Sequence, residues 1–257
     1  MKEASRMILK QNLKELKLAA MARDMDMYLR QAVDTGMDYA DLLAELTTAE
    51  LQARAENRLT RRVRDAKFPL IKPVDTFDLD SAPGLDIRLF RELCNCGYIQ
   101  EHRNIIFLGK SGTGKTHMAT GLGLEACKNN YRIRFMSCYG LVNDLIEARQ
   151  DRELRRLMQR YARYDLLILD ELGYIPFSKE GAELLFQVLA ERNEKGANII
   201  TTNLGFGDWT RVFGDATMTA ALLDRLTHNA HIIDCMWDSY RLKQSLRQAS
   251  QKQRSKG

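Results

Sequence analysis

The stretch Ile105-Ile106-Phe107-Leu108-Gly109-Lys110-Ser111-Gly112-Thr113-Gly114-Lys115-Thr116 decides how the rest of the chain reads. Four apolar residues run into a glycine-rich turn, and a helix-like segment, 115–129, follows. A buried strand that turns sharply into a helix is the context in which the spacing G-x-x-x-x-G-K-[ST] has a mechanism. Gly109, Gly112 and Gly114 let the N–H groups of Lys110, Ser111 and Thr113 turn inward around phosphate oxygens. The helix N-terminus adds positive potential. Lys115 is placed to reach β- and γ-phosphates, and the Thr116 hydroxyl to ligate Mg²⁺. A ligand-free strand–helix turn is the alternative, and the flanking strand and helix count against it.

Working outward, residues 105–108, 133–136, 166–169, 198–201 and 231–234 are short apolar runs. Helical segments at 115–129, 140–162 and 179–194 separate them. Continuous apolar strands alternating with helices indicate an α/β fold, with a five-stranded parallel sheet between helices. The third run ends in Asp170-Glu171, at the strand edge that faces a ligand crevice in such sheets. Asp170 suits Mg²⁺ coordination and Glu171 suits polarisation of an attacking water. The fourth run ends in Thr201-Thr202-Asn203. Asn203 either holds the lytic water or is an ordinary strand-end turn residue, and local sequence favours the latter.

Residues 1–68 carry helical periodicity and no strand pattern. Leu9, Leu13, Leu16 and Ala20 lead into Met21, Met25 and Tyr28 on an overlapping face. Thr35-Gly36 interrupts, and Tyr39, Leu42, Leu43 and Leu46 form a second stripe. Thr47-Thr48-Ala49-Glu50 fits a capping box at the start of a third helix. Pro69, Pro73 and Pro83 then mark a connector. The expected organisation is a small all-α domain at 1–68, a connector and lead-in helix at 69–100, a nucleotide-binding domain at 101–242 and a basic tail at 243–257.

Composition narrows the class. The 257 residues are 45% hydrophobic and 28% charged, with only 16 Gly and 4 Pro, which excludes a globally disordered or collagen-like chain. No apolar run approaches a bilayer span, and the N-terminus lacks a signal-peptide core, so no membrane role and a cytoplasmic location are expected. The five cysteines lack framework spacing and read as reduced thiols.

The net charge of +5 is mild, so placement matters more than the sum. One cluster comprises Arg54, Arg58, Arg61, Arg62, Arg64 and Lys67. A second comprises Arg149, Arg152, Arg155, Arg156, Arg160 and Arg163. The third is the tail from Arg241 onward, with six basic residues and no acid. Any one of them reads most simply as a solvated helix face. Three in one chain make backbone contacts to DNA an expectation. Arg225 either reaches a neighbouring subunit's γ-phosphate or pairs with Asp224. Arg241 either touches the γ-phosphate of its own chain or sits at a solvated helix start. Spacing decides neither.

This set of motifs resembles the AAA+ ATPases and, more narrowly, the IstB family of transposition helper ATPases, sister to the DnaC helicase loaders. The marks span nearly the whole chain. They include Leu13 to Leu18, Glu56-Asn57-Arg58, Gly114-Lys115-Thr116-His117, Gly121 to Cys127 and Leu169-Asp170-Glu171-Leu172-Gly173-Tyr174-Ile175-Pro176. Further on they include Thr202-Asn203-Leu204, Ala221 to Leu226 and Ser239-Tyr240-Arg241-Leu242. The resemblance implies an AAA+ P-loop NTPase fold that binds ATP and Mg²⁺ and a nucleotide-binding set extending to His117. It implies Asn203 as sensor 1, Arg225 as a finger acting between subunits and Arg241 as sensor 2. It also implies ATP-dependent homo-oligomeric assembly on duplex DNA, with the second basic cluster favoured for the DNA contact, and cooperation with the transposase of the same element. A helicase loader is the alternative. A non-hydrolysing clamp fits less well because of Glu171, and nothing suggests a small-molecule kinase.

Overall fold

The computed structural model describes residues 3–240. Arg241 and the basic tail therefore lie outside the described residues. Two compact units meet at Arg61 and Arg62. That break falls inside a helix, ahead of the proline cluster.

The first unit is built from α1 (Glu3–Glu15), α2 (Ala19–Thr35) and the greater part of α3 (Tyr39–Ala66). Leu13, Met21, Ala22, Met25 and Leu46 form its core, with Leu18, Tyr28, Leu29 and Leu42 against it. The continuous first stripe breaks at residues 16–18, where Lys17 takes φ 59° and its N–H bonds the Lys14 carbonyl. Local periodicity carries no sign of this break, because Leu16 and Leu18 preserve the apolar content. Gly36 ends α2 in the left-handed region, as Thr35-Gly36 suggested.

The capping box at Thr47–Glu50 is not formed. Helix α3 already runs through it, and the Thr47 hydroxyl bonds back to the Leu43 and Ala44 carbonyls. Glu50 caps a different helix. Its buried Oε2 accepts from the Ala20 and Met21 amides at the start of α2, at 2.8 and 3.2 Å. Its Oε1 takes the Arg54 guanidinium at 2.8 Å. The N-terminus of α2 offers orphan N–H groups and a positive dipole end, and a buried carboxylate satisfies both.

In the second unit, two 3₁₀ turns at Val74–Thr76 and Leu79–Ser81 lead to α4 (Ile87–Cys94) and α5 (Gly97–Gln100). Asp86 caps α4 by accepting from Arg88 and Leu89. Then come β1 (Asn104–Leu108), α6 (Lys115–Lys128), β2 (Ile133–Ser137), α7 (Cys138–Gln150), α8 (Leu154–Ala162) and β3 (Leu166–Leu172). The last part holds α9 (Lys179–Arg192), β4 (Ala197–Thr202), α10 (Trp209–Phe213), α11 (Ala216–Thr227) and β5 (Ala230–Asp234). The helix expected over 140–162 is thus two helices. Arg152, at φ 60°, turns the chain out of α7 before α8 begins.

All five strands are parallel, in the order β2-β3-β4-β1-β5. Ile105, Ile106, Phe107, Leu166, Leu167, Ile168, Ile199 and Ile200 have no exposed surface, as expected for strands covered on both faces. Ile106, Leu167, Leu169 and Ile200 pack in one layer with buried residues of α7 to α11. On the other face, Ile168 lies against Gly123 of α6. Because β1 sits between β4 and β5, the chain leaves it toward β2 on one side and returns to β5 on the other. The crevice at such a switch point lies over the C-terminal strand ends.

Candidate nucleotide site

The phosphate loop occupies that switch point. Three of its glycines take positive φ, and two of them show why glycine is needed. Gly109 has φ 147°, and a Cβ there would collide with the Cys235 carbonyl. Gly114 has φ 93°, and its Cβ would stand 2.6 Å from the Phe77 ring. Three contacts from distant sequence hold the loop. The Trp237 indole N–H donates to the Thr113 carbonyl at 2.9 Å. The Tyr240 amide donates to the Gly112 carbonyl at 3.0 Å, and the Gly109 amide to the Thr202 carbonyl at 3.1 Å. The Lys115 ammonium donates to the Gly109 and Lys110 carbonyls at 2.6 and 2.7 Å.

A cavity of about 370 Å³ opens above the loop. Ser111 to His117 form its floor, and Glu171, Thr201, Thr202 and Asn203 line it from the ends of β3 and β4. Phe77 and Asp78 of the connector, with Tyr174 and Tyr240, complete the wall. Behind its lining the Thr116 hydroxyl donates to the Asp170 carboxylate, 3.0 and 3.1 Å from its two oxygens. Asp170 is buried, while Glu171 beside it is exposed to the cavity. A hydroxyl and a carboxylate side by side are hard oxygen donors, the kind that Mg²⁺ takes alongside phosphate oxygens.

His117 lines the cavity, but its Nε2 lies 3.1 Å from both the Thr76 hydroxyl and the Pro73 carbonyl. Burial, with the Lys72 charge adding, holds its pKa below the usual histidine value despite the Pro73 bond. It is a neutral tie to the connector. Behind the loop, burial pushes the Cys235 thiol up to about 12, outweighing the Lys115 charge. It is an inert packing group.

Arg225 is not brought to this cavity. Helix α11 ends where β1 begins, since Asn104 donates from its side chain to the Leu226 carbonyl and from its amide to the Asn229 carbonyl. The phosphate loop follows the other end of β1, about 13 Å away at roughly 3.3 Å per residue. Arg225 lies with its guanidinium 5.1 Å over the Phe186 ring, in a separate cavity that Glu101, Asp224 and His228 also line. Among the described residues it forms no ion pair with Asp224.

The basic clusters are surface features. Arg58 and Arg61 are exposed on α3. Arg62 is half-buried and donates to the Asn130 side chain at 3.3 Å. Arg152, Arg155, Arg156 and Arg160 are exposed, while Leu157, Met158 and Tyr161 bury the other face of α8. Arg149 pairs with Glu180 and Arg156 with Glu153, each at 3.4 Å. Arg160 lies 5.6 Å over the Tyr161 ring.

Sequence reasoning missed Phe77, Thr201, Trp237 and the Tyr240 amide. Each reaches the loop or its acids from a remote segment, and none carries a local motif.

The strand order, the phosphate loop at the switch point and the acids at the end of β3 define a P-loop domain of the AAA+ class. The chain belongs to the IstB-like ATP binding protein family, which it matches over residues 11–248. It is 35% identical over 232 residues to a protein named for ATP binding in insertion sequence IS232 of Bacillus thuringiensis subsp. berliner, covering 90% of this chain and 93% of that one. It is likewise 35% identical over 232 residues to the corresponding protein of insertion sequence IS21 of Pseudomonas aeruginosa, covering 90% and 88%. Among solved structures, AMPPCP-bound DnaA from Aquifex aeolicus superposes with a TM-score of 0.56 at 18% identity, over 69% of this chain and 54% of that one. The DnaC helicase loader gives 0.53 at 18%, over 67% and 98%. At such identity these two speak to the fold alone.

Proposed function

We propose that this protein hydrolyses ATP as a homo-oligomer assembled on duplex DNA, and so assists the transposase of its insertion sequence. One observation carries the reading. Thr116 and Glu171 line one cavity, with Asp170 bonded to Thr116, while Arg225 lines another at the opposite end of the strands. A site completed by Arg225 therefore needs a second copy of the chain.

Loop amides receive the phosphates, and Lys115 swings from the Gly109 and Lys110 carbonyls to the β- and γ-phosphates. Thr116 and Asp170 would hold Mg²⁺, which when bound neutralises charge between those phosphates. Asn203 orients a water and Glu171 takes its proton. The water oxygen bonds to the γ-phosphorus as the bond to the β–γ bridging oxygen breaks. ADP leaves with that electron pair, and phosphate follows. Arg225 of a second copy stabilises the charge of the transferring group, as an arginine finger does. Arg241, next in sequence after Tyr240 and outside the described residues, acts from the same chain.

DNA lies along Arg149, Arg152, Arg155, Arg156 and Arg160, with Arg58, Arg61 and Arg62 as a second contact. Residues 1–68 dock a partner or DNA, 69–100 connect, 101–242 form the ATPase and 243–257 add a basic tail. A cytoplasmic setting suits five free thiols. Among the described residues no helix is long and apolar enough to cross a membrane.

The test compares Lys115→Ala and Glu171→Gln with the parent chain. Lys115→Ala loses nucleotide-dependent DNA assembly. Glu171→Gln keeps ATP binding, lowers turnover by roughly 10²–10⁴-fold and prolongs residence on DNA. Assembly unaffected by Lys115→Ala refutes the ATP role, and normal turnover in Glu171→Gln refutes the base. Capture of a replicative helicase rather than the transposase would point to a loader.

A further inference from the structure

Asp170 and Glu171 are consecutive residues of one strand, and successive strand side chains point to opposite faces. Leu167 and Leu169 face the α7–α11 layer, whereas Asp170 faces Thr116 of α6. A regular strand would send Glu171 after Leu169, away from the nucleotide. Yet both acids reach the phosphate side, because β3 is bulged here. Its pairing with β4 steps from Leu169↔Ile200 to Leu172↔Thr202, so β3 carries one residue more than its partner. Glu171 sits in the bulge at φ 61°, a conformation that non-glycine residues rarely adopt. Bulges re-aim side chains in this way beside active sites.

The bulge removes the ladder partner of the Glu171 amide, and one side chain replaces it. The Thr201 hydroxyl accepts from the Glu171 N–H at 3.0 Å and donates to Asp170 Oδ1 at 2.5 Å. Thr201 is buried, so water does not substitute freely. A single hydroxyl thereby fixes both acids, one through its carboxylate and the other through its backbone. We infer that Thr201 is the positioning residue of this ATPase, holding Glu171 toward the attacking water and Asp170 toward Thr116. The inference rests on the ATPase reading above.

Valine has the same branched shape but neither donates nor accepts. In Thr201→Val the bulge loses its tie and Glu171 relaxes toward the opposite face. The phosphate loop is untouched. The experiment measures ATP turnover, ATP affinity and melting temperature for the full chain, Glu171→Gln, Thr201→Val and Thr201→Ser.

We expect Thr201→Val to lower kcat about 30-fold, the size of one lost hydrogen bond to a charged group, with ATP affinity within about twofold. Thr201→Ser keeps the hydroxyl and returns kcat to within about threefold. If Thr201→Val does not fold, Thr201→Ala is read the same way. A melting temperature that falls while kcat holds overturns the inference, because a purely structural residue behaves so. A serine variant as slow as the valine variant also overturns it. Active parent chain, inactive Glu171→Gln and fully active Thr201→Val refute the inference and leave the ATPase reading standing. A parent chain with no turnover refutes that reading, and the inference with it.

Discussion

Replacing Arg192 with methionine tests how the sheet's N-terminal edge is held. Arg192 ends α9 with 2% of its surface exposed. Its guanidinium donates to the Asn198 side chain at 2.8 Å and to the Tyr161, Tyr164 and Ala197 carbonyls at 2.8, 2.9 and 2.8 Å. Among the described residues it has no ion-pair partner. Burial lowers its pKa to about 10, outweighing the opposing Asp165 charge, so it stays charged at neutral pH. The Tyr161 carbonyl lies in the last turn of α8 and also accepts from the Tyr164 amide at 3.3 Å, while the Tyr164 carbonyl lies just beyond the helix end. Methionine fills much of the space but removes all four of these hydrogen bonds, at about 1 kcal/mol each. Relief of the buried cation's desolvation offsets part of this. The expected net loss is about 3 kcal/mol, read from urea unfolding with an unchanged m-value. Arg192→Lys should recover little, since an ammonium cannot span the fork. A loss under about 1 kcal/mol, or a lysine variant as stable as the parent, would show that the hydrogen-bond accounting is wrong.

Two further outcomes follow from the site and from the helical unit. Arg225→Ala should be inactive alone and regain turnover when mixed with Lys115→Ala, because each supplies the half-site the other lacks; steady-state ATPase of the mixture checks this, and no recovery at any ratio argues against action between copies. Burial works to raise the Glu50 pKa, but Arg54 and the Met21 and Ala20 amides outweigh it and hold it below its ordinary 4.5. A depressed carboxyl stabilises fully above its unfolded pKa and loses that contribution as pH falls through the folded value. Protection of the Ala20 and Met21 amides from hydrogen exchange should therefore fall below about pH 4.5 in the parent chain and show a flatter pH profile in Glu50→Gln; parallel profiles would exclude Glu50 as the cap.

The nucleotide-binding fold was legible because its signals are local. Each strand is a contiguous apolar run and the phosphate loop a contiguous motif, so all five strands fell where spacing put them, and Thr116 meets Asp170. The helical region was harder. Thr47 and Glu50 match a capping box residue for residue, yet Glu50 serves α2, thirty positions away. A capping motif specifies a carboxylate near amides, and sequence does not say whose amides. The break at Lys17 and that at Arg152 are likewise left-handed residues that no side-chain pattern announces.

The sequence by itself determined the strand–helix alternation, the phosphate loop and the strand that ends at Asp170, since hydrophobic periodicity and short-range spacing encode these. Tertiary structure alone decided three things. Trp237 and Tyr240 clamp the loop, because β5 pairs beside β1. Arg225 is kept from the nucleotide cavity of its own chain by the length of β1. And Glu171 joins Asp170 on one face through a bulge tied by Thr201, against the alternation that sequence order dictates. In each case the deciding contact joins segments far apart in the chain, and only the folded register brings them within hydrogen-bonding distance.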